Sequence, residues 1–330
     1  GMTLLITGGA GFIGCNLGAR LAREGHHVTV YDALRRPGVE ENLAWLLREH
    51  PGRVTAIQAD IRDEAALREA VRGAAGVFHL AAQVAVTTSL ADPVEDYGIN
   101  LHATFNLVEA VRCRPGGPVP VIFASTNKVY GDLGDVPLER RDEAWAPREA
   151  ALREGGVPES RPLDFHTPYG CSKGAAEQYV LDYARSFGVP AAVMRMSCIY
   201  GPHQMGTEDQ GWVAHFLIRA LRGEPISIFG DGCQVRDILH VEDAVAAWVA
   251  AWRRIDAVSG TAFNLGGGPA NAVSLRGVLR EIEAIAGRRI ELRFDEWRAG
   301  DQRWYVSDTR RAVAALGLRA PRPWRDGLRD

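Results

Sequence analysis

A doubly wound, parallel α/β sheet with a smaller mixed α/β lobe is the fold class this sequence predicts, on three observations. Short apolar runs alternate with amphipathic stretches through the first half of the chain, the rhythm of a parallel sheet covered by helices. The runs are continuously apolar, as strands buried on both faces require. The first of them leads straight into a glycine-rich turn and then a helical stretch.

In chain order, Leu4–Thr7, His27–Tyr31, Val54–Ile57, Gly76–Leu80 and Val119–Ala124 have the character of strands. Phe12–Glu24, Asp63–Val71 and Val94–Val111 have the helical period between them. A polar, proline-containing stretch follows from Gly131 to Pro168, too long for a simple connector and therefore either functional or partly mobile. A helix over Tyr169–Phe187 then leads to a strand over Pro190–Arg195. Beyond Tyr200 the rhythm loosens. Helices over Trp212–Leu221, Glu242–Trp252 and Leu275–Ala286 mix with strands over Ile226–Phe229, Ala262–Leu265 and Ile290–Arg293. This pattern divides the chain into residues 2–195, with the cofactor-binding sheet and the Tyr169–Phe187 helix, and residues 196–330, mainly a substrate lobe. The two interleave around 230–270. The smaller lobe is expected against the carboxyl ends of the strands, where ligands of open α/β sheets bind.

The chain has 330 residues, 46% hydrophobic and 24% charged, with a formal net charge of −3. That is the profile of an ordinary globular protein, and without a long basic run it does not favour nucleic-acid or membrane-surface binding. Cys15, Cys113, Cys171, Cys198 and Cys233 are odd in number and scattered without CxxC spacing. They suit a reducing, cytoplasmic setting better than a disulfide framework or a zinc site. No metal is expected, since none of the nine histidines has HxxxH spacing. No apolar stretch approaches the ~20 residues of a membrane span, and no signal peptide is expected. Gly1 precedes Met2 and is set aside.

Gly8, Gly11 and Gly14, in Gly8-Gly9-Ala10-Gly11-Phe12-Ile13-Gly14, have GxxGxxG spacing at a strand–turn–helix junction. Small residues there permit a tight turn and let backbone N–H groups, with Phe12 and Ile13 opening the helix, approach a pyrophosphate. This is the dinucleotide-binding context of a Rossmann sheet; a purely structural turn is the alternative. Asp32 closes the second strand ~20 residues on, where an acid binds a ribose 2′-hydroxyl and repels a 2′-phosphate, favouring NAD over NADP. Arg35 and Arg36 temper that preference unless they are a solvated surface pair. Asp60-Ile61 either reaches the adenine or leaves Asp60 to cap the helix near Asp63.

Tyr169-Gly170-Cys171-Ser172-Lys173 is a YxxxK pair whose i, i+4 spacing puts both side chains on one helical face. A nearby ammonium would lower the phenol pKa, and such a tyrosine can take a hydroxyl proton while hydride leaves the same carbon. With the glycine loop, the acid and Ser125-Thr126 after the fifth strand, the order of motifs resembles the extended short-chain dehydrogenase/reductase family, the sugar-nucleotide epimerases and dehydratases. His79-Leu80-Ala81-Ala82, Asn100, Val129-Tyr130-Gly131, Tyr200-Gly201-Pro202 and Arg236-Asp237-Ile238-Leu239-His240-Val241 extend the resemblance over nearly the whole chain. It implies NAD as cofactor, Thr126 as the hydroxyl that binds the sugar oxygen, Tyr169 as general acid/base, and Lys173 on the nicotinamide ribose. Leu80, Ala81 and Ala82 would line the cofactor groove. Asn100 would be a cofactor-side residue or serve packing alone. Family members pair through two helices, here Val94–Val111 and Tyr169–Phe187, so a homodimer or homotetramer is implied.

The dehydratases of that family carry Thr-Asp-Glu after the fifth strand, and this chain has Thr126-Asn127-Lys128. Asn127 cannot protonate a leaving hydroxyl and Lys128 replaces the carboxylate base, so elimination in that manner is disfavoured. Within the family, Ser125–Gly131, Arg195–Pro202 and Gly206–Val213 are most similar to the branch that epimerises C2 of CDP-paratose and CDP-tyvelose. That branch implies oxidation of a ring carbon to a ketone and re-reduction on the opposite face by a tightly held NAD. A 4-epimerase, dehydratase or reductase on the same scaffold is the alternative, and a non-catalytic NAD-binding regulator a remoter one.

For the nucleotide end of the substrate the candidates are Asn127, Arg236, Arg298 and Asp301. Guanidinium matches phosphate in a bidentate fork, and Asp301 would accept from ribose hydroxyls. Salt bridges between the lobes are the alternative for the arginines. Core packing is expected of Trp212 and Phe229, a satisfied core histidine of His79, and only a marginal pocket position of His166. The long 131–168 stretch is either a cover shielding a keto sugar from water or a surface loop serving oligomer contacts.

Overall fold

The computed structural model describes residues 1–204, 211–298 and 301–329. Its strands are β1 (Thr3–Thr7), β2 (His27–Asp32), β3 (Val54–Gln58), β4 (Gly76–His79), β5 (Val121–Thr126), β6 (Leu138–Arg141), β7 (Ala144–Pro147), β8 (Ala191–Met196), β9 (Cys198–Tyr200), β10 (Ile226–Phe229), β11 (Val235–His240), β12 (Thr261–Leu265), β13 (Ala272–Ser274), β14 (Leu292–Asp295) and β15 (Trp304–Tyr305). Seven of them form one parallel sheet in the order β12-β8-β5-β4-β1-β2-β3. The chain runs outward from β1 in both directions, so a crevice opens between the ends of β1 and β4.

Alternate residues of each strand feed two cores. Leu4, Ile6, Val28, Val30 and Phe78 pack on one face against helices Phe12–Arg23, Val39–Glu49 and Val241–Arg253, the last contributing the fully buried Trp248. Leu5, Val77, Val121 and Phe123 pack on the other against Glu64–Arg72, Ala103–Arg112 and Thr167–Phe187. Burial on both faces explains why the strands lack polar alternation.

Two features differ from the sequence reading and one refines it. Helix Val39–Glu49 was not anticipated; it buries only Val39, Asn42 and Leu46, too sparse a stripe to stand out by periodicity. Strand β12, grouped with the looser pattern after Tyr200 but inside the stretch expected to interleave around 230–270, joins the large parallel sheet beside β8. The helix expected over Val94–Val111 is interrupted: Pro93–Tyr97 is followed by a π turn over Gly98–His102 and then Ala103–Arg112. At that wide turn the Asn100 side chain takes both backbone groups of Gln83, and Thr104 Oγ1 bonds the Asn100 carbonyl.

A third apolar cluster gathers Tyr200, Val213, Phe216, Ile226, Ile228, Ile238 and Leu279 beyond the carboxyl ends of the sheet. The 131–168 stretch is neither loose nor structureless. It contains the β6–β7 hairpin and a short helix, Ala150–Gly155. Leu133, Val136 and Val157 are buried against Trp304 and Tyr305, which ties the stretch to the smaller lobe.

Candidate active site

The glycine loop turns from β1 into helix Phe12–Arg23. Gly8 has φ +69°, and a Cβ there would lie 2.8 Å from the Ala81 amide nitrogen. A Cβ on Gly14 would collide with the Gly8 carbonyl oxygen. Positions 8 and 14 are therefore open only to glycine, and the helix N-terminus at Phe12 and Ile13 faces the crevice between β1 and β4. Leu80 and Ala81 donate their amides to Thr7 Oγ1, both at 3.1 Å, which fixes the Leu80-Ala81-Ala82 wall.

Asp32 ends β2 with its carboxylate accepting from the Ala10 amide (3.0 Å) and the Leu34 amide (2.9 Å). Arg35 and Arg36 are both exposed, as a surface pair would be, but each has a partner. Arg35 bonds Asp60 at 2.9 Å, and Arg36 reaches over the crevice to donate to the Ala82 carbonyl. Asp60 does not cap the following helix; Asp63 does, accepting from Ala66 N. Asp60 is instead gripped by Arg62, whose hydrogen bonds hold its carboxyl down to about 2. Ile61 beside it is buried under the second core face.

His79 is a satisfied core histidine. Thr7 Oγ1 accepts two amides, so its proton goes to His79 Nδ1 at 2.6 Å. Thr104 Oγ1 spends its proton on the Asn100 carbonyl and so accepts from His79 Nε2 at 2.9 Å. Burial pushes the imidazole down to about 3, which keeps it neutral.

Helix Thr167–Phe187 presents Tyr169, Lys173 and Glu177 along one face, each one turn on from the last. Tyr169 is buried, and the Thr126 side chain at the end of β5 acts on its phenol, lowering its pKa. Thr126 Oγ1 also accepts from Lys128 N at 3.1 Å and approaches Asn127 Oδ1 at 3.3 Å. Burial raises the phenol to about 12, and the charges acting on it are those of Asp96 and Arg36. Lys173 is not among them, contrary to the expectation from YxxxK spacing. Its ammonium lies 4.4 Å from the centre of the Phe123 ring, and burial pulls it down to about 7 against the charges of Glu177 and Asp96. Asn100 sits behind the pair, donating to Asp96 Oδ1 (3.0 Å) and Ser172 Oγ (3.2 Å).

Across from these residues lies the smaller lobe. Asn127 Nδ2 contacts Gln302 Oε1 at 3.3 Å, Gln302 donates to the Gly131 carbonyl, and Arg236 donates to the Gln302 and Val235 carbonyls. Lys128 belongs to this group: burial lowers it to about 8, with Arg236 adding to the fall and Asp301 and Cys198 opposing it. Arg298 lies 3.5 Å over the Phe229 ring, and its amide donates to Asp301 Oδ2. Phe229 is thus half-exposed beneath a guanidinium and not a core residue, whereas Trp212 packs on Phe216 and donates to Cys198 Sγ. His166 is exposed and paired with Asp164 at 2.8 Å. The motif residues Gly206–Gln210, Ala299 and Gly300 lie outside the described residues.

The structure therefore gathers Thr126, Asn127, Tyr169 and Lys173 beside the cofactor crevice, with Arg236, Arg298 and Asp301 on the facing lobe. Sequence reasoning overlooked Asp96, Gln83, Gln302 and Glu177. Only Glu177 left a signal, being one more helical turn beyond Lys173; the others come together through the π turn and the interlobe contact.

The chain matches the NAD dependent epimerase/dehydratase family over residues 4–266. It is 39% identical to CDP-paratose 2-epimerase of Salmonella typhi, covering 99% of this chain and 97% of that protein. Among solved structures it is similar to UDP-glucose 4-epimerase of Thermus thermophilus in complex with NAD (31% identity, TM-score 0.83, 99% and 97% covered). It is also similar to UDP-glucuronic acid 4-epimerase of Bacillus cereus in complex with UDP-glucuronic acid and NAD (27% identity, TM-score 0.85, 99% and 97% covered). A tight turn that requires glycine at positions 8 and 14, an acid at the end of β2 and a helix N-terminus over one crevice fit the dinucleotide those complexes hold. On its sequence, its sheet and its site, this chain is an enzyme of the NAD-dependent epimerase/dehydratase family, with NAD as cofactor and a nucleotide-linked sugar as substrate.

Proposed function

We propose that this enzyme inverts C2 of a nucleotide-linked sugar of the CDP-paratose and CDP-tyvelose type, through a 2-keto intermediate. One observation carries the redox reading: the Thr126 side chain and the buried phenol of Tyr169 come together at the crevice, with Lys173 one turn along. The residues after Thr126 are Asn127 and Lys128, so the carboxylates that would expel water are absent from that turn. The relative at 39% identity, a CDP-paratose 2-epimerase, supports C2 and cytidine.

An unactivated secondary alcohol inverts only through a flat carbon, and a ketone provides one. Gly8, Gly11, Phe12, Ile13 and Gly14 would hold the pyrophosphate of NAD, and Asp32 the adenosine ribose. Asp60 and Ile61 would border the adenine, and Leu80, Ala81 and Ala82 the groove, with Asn100 fixing that wall. The chemistry bound NAD supplies is reversible acceptance of hydride from the sugar carbon. Tyr169 takes the hydroxyl proton as the carbonyl forms and returns it after the sugar has turned over, so protons and electrons both balance over the cycle. Thr126 binds the same oxygen and fixes its direction. Arg236 and Arg298 would neutralise the diphosphate, Asp301 would accept from the nucleotide ribose, and Asn127 would contact the sugar. In this reading the large sheet is the cofactor half and residues after 195 mainly the substrate half.

Val94, Tyr97, Tyr179 and Phe187 are exposed on the two helical stretches that family members use for pairing, which supports a homodimer or homotetramer. Five free cysteines suit a cytoplasmic setting.

The test is incubation of the NAD-loaded protein with CDP-tyvelose carrying deuterium at C2. Conversion to CDP-paratose with the label kept at C2 and no accumulation of NADH is expected. Oxidation at C4, the reaction named for the two solved relatives, would instead give the C4 epimer. Stoichiometric NADH or loss of water would overturn epimerisation altogether.

A further inference from the structure

Asp96 is a buried carboxylate that the reaction above does not use. It is 1% exposed, on the short helix Pro93–Tyr97, which packs against Thr167–Phe187. Its Oδ1 accepts from Gln83 Nε2 at 2.9 Å and from Asn100 Nδ2 at 3.0 Å. Its Oδ2 is buried with no hydrogen-bond partner among the described residues. The same Asn100 nitrogen reaches Ser172 Oγ, and Ser172 Oγ donates to the Tyr169 carbonyl. The carboxylate is thus pinned to the helix segment between Tyr169 and Lys173.

Hydrogen bonding alone does not account for an acid here. An asparagine would accept the same two bonds through its oxygen, whereas a carboxylate buried with one oxygen unpartnered carries an added desolvation cost. What the acid adds is charge. Glu177 is the larger charge acting on Lys173, but both its oxygens are engaged by Arg195 and one also by Ser125, and of these two carboxylates only Asp96 acts on Tyr169. We propose that Asp96 is a positioning residue for the reaction, its unneutralised charge setting the proton states of Tyr169 and Lys173. This rests on the reading of those two residues as the proton-handling pair.

The groups facing that pair come from every neighbouring element. The charges acting on Tyr169 are those of Asp96 and of Arg36, from the loop after β2, and Thr126 of β5 acts on its phenol. The charges acting on Lys173 are those of Glu177 on its own helix and of Asp96, while its ammonium lies over the Phe123 ring of β5 and bears on the neutral His79 of β4. Asp96 raises both titrations, holding Lys173 charged and the resting phenol protonated. Its neutralisation moves both downward. Activity that requires ionised Tyr169 then begins at lower pH, and activity that requires charged Lys173 is also lost at lower pH.

The experiment is Asp96→Asn in the full chain, with two readouts. The phenolate absorbance of Tyr169, isolated by subtracting the matching Tyr169→Phe protein, needs no substrate and is independent of which sugar is turned over. It is expected to titrate about one pH unit lower. Both limbs of the pH profile of sugar turnover are expected to shift the same way, with the unfolding midpoint preserved. A folded Asp96→Asn protein with an unchanged phenolate transition overturns the proposal, as does one that fails to fold, since the charge would then serve stability. A shifted phenolate transition in a protein that turns over no sugar nucleotide upholds the charge effect and sinks only the proposed reaction.

Discussion

Glu177 and Arg195 form a buried ion pair, 2.6 Å between Oε2 and Nη2, joining the helix that carries Tyr169 to the strand beside Thr126. Arg195 lies in register with Ser125, which donates to the same carboxylate at 2.8 Å, and its other nitrogen donates to Tyr130 OH at 3.0 Å. Tyr130 passes the chain on to Asn264 of β12 at 2.6 Å. One network therefore fixes the catalytic helix, β5 and β8 relative to one another.

Removing one partner leaves the other charge buried and uncompensated. Glu177→Ala is expected to lower the stability of the folded chain by about 3–5 kcal/mol, read from urea denaturation. Replacing Glu177 and Arg195 together by leucine and methionine should recover much of that loss. Equal destabilisation by the single and double variants would show that the ion pair itself does not hold this corner together.

Tyr169→Phe keeps the ring that fills the site and removes the proton carrier. Turnover should fall by roughly 10²–10⁴ while NAD binding, followed by quenching of tryptophan fluorescence, stays within a factor of a few. A variant that turns over sugar at near-normal rate would assign the proton to another group.

Gly14→Ala places a methyl against the Gly8 carbonyl oxygen at the tightest point of the cofactor turn. Either the loop or the helix start must move. Affinity for NAD should fall on the order of tenfold or more, the factor that each ~1.4 kcal/mol costs. Titration calorimetry with added NAD measures this, and unaltered affinity would place the dinucleotide elsewhere.

His79 predicts an acid limb of stability. Its folded pKa is lowered to about 3 from 6.5, so below pH 6.5 the unfolded chain takes up a proton that the folded chain refuses. Stability is full above pH 6.5 and declines as pH falls toward 3, by up to roughly 5 kcal/mol at 1.36 kcal/mol per unit. Denaturation midpoints of the wild type and of His79→Gln, compared between pH 7 and pH 4, should converge on acidification. Parallel curves would show that another group drives the acid loss.

The seven-stranded parallel sheet was legible because its strands are apolar on both faces, a pattern that burial between two helical layers imposes directly on composition. Glycine turn, terminal acid, threonine and YxxxK were legible because each depends on residues close together in the chain. Their physics is local: a φ of +69° at Gly8, or two side chains one helical turn apart. The same locality misled where a pair was read in isolation, since YxxxK spacing alone implied that Lys173 lowers the Tyr169 phenol.

Tertiary structure decided the rest. Asp96 and Gln83 gather on Asn100, and Asn100 reaches Ser172, only because a π turn widens the helix at Gly98–His102 and that helix packs on Thr167–Phe187. Strand β12 enters the large sheet from 65 residues beyond β8, between Met196 and Thr261. Gln302 bridges Asn127 and Gly131 across more than 170 positions. Sequence periodicity reports which side of an element is buried. It does not report what buries it, and the proton states of Tyr169 and Lys173 depend on charges and burial supplied by elements distant in the chain.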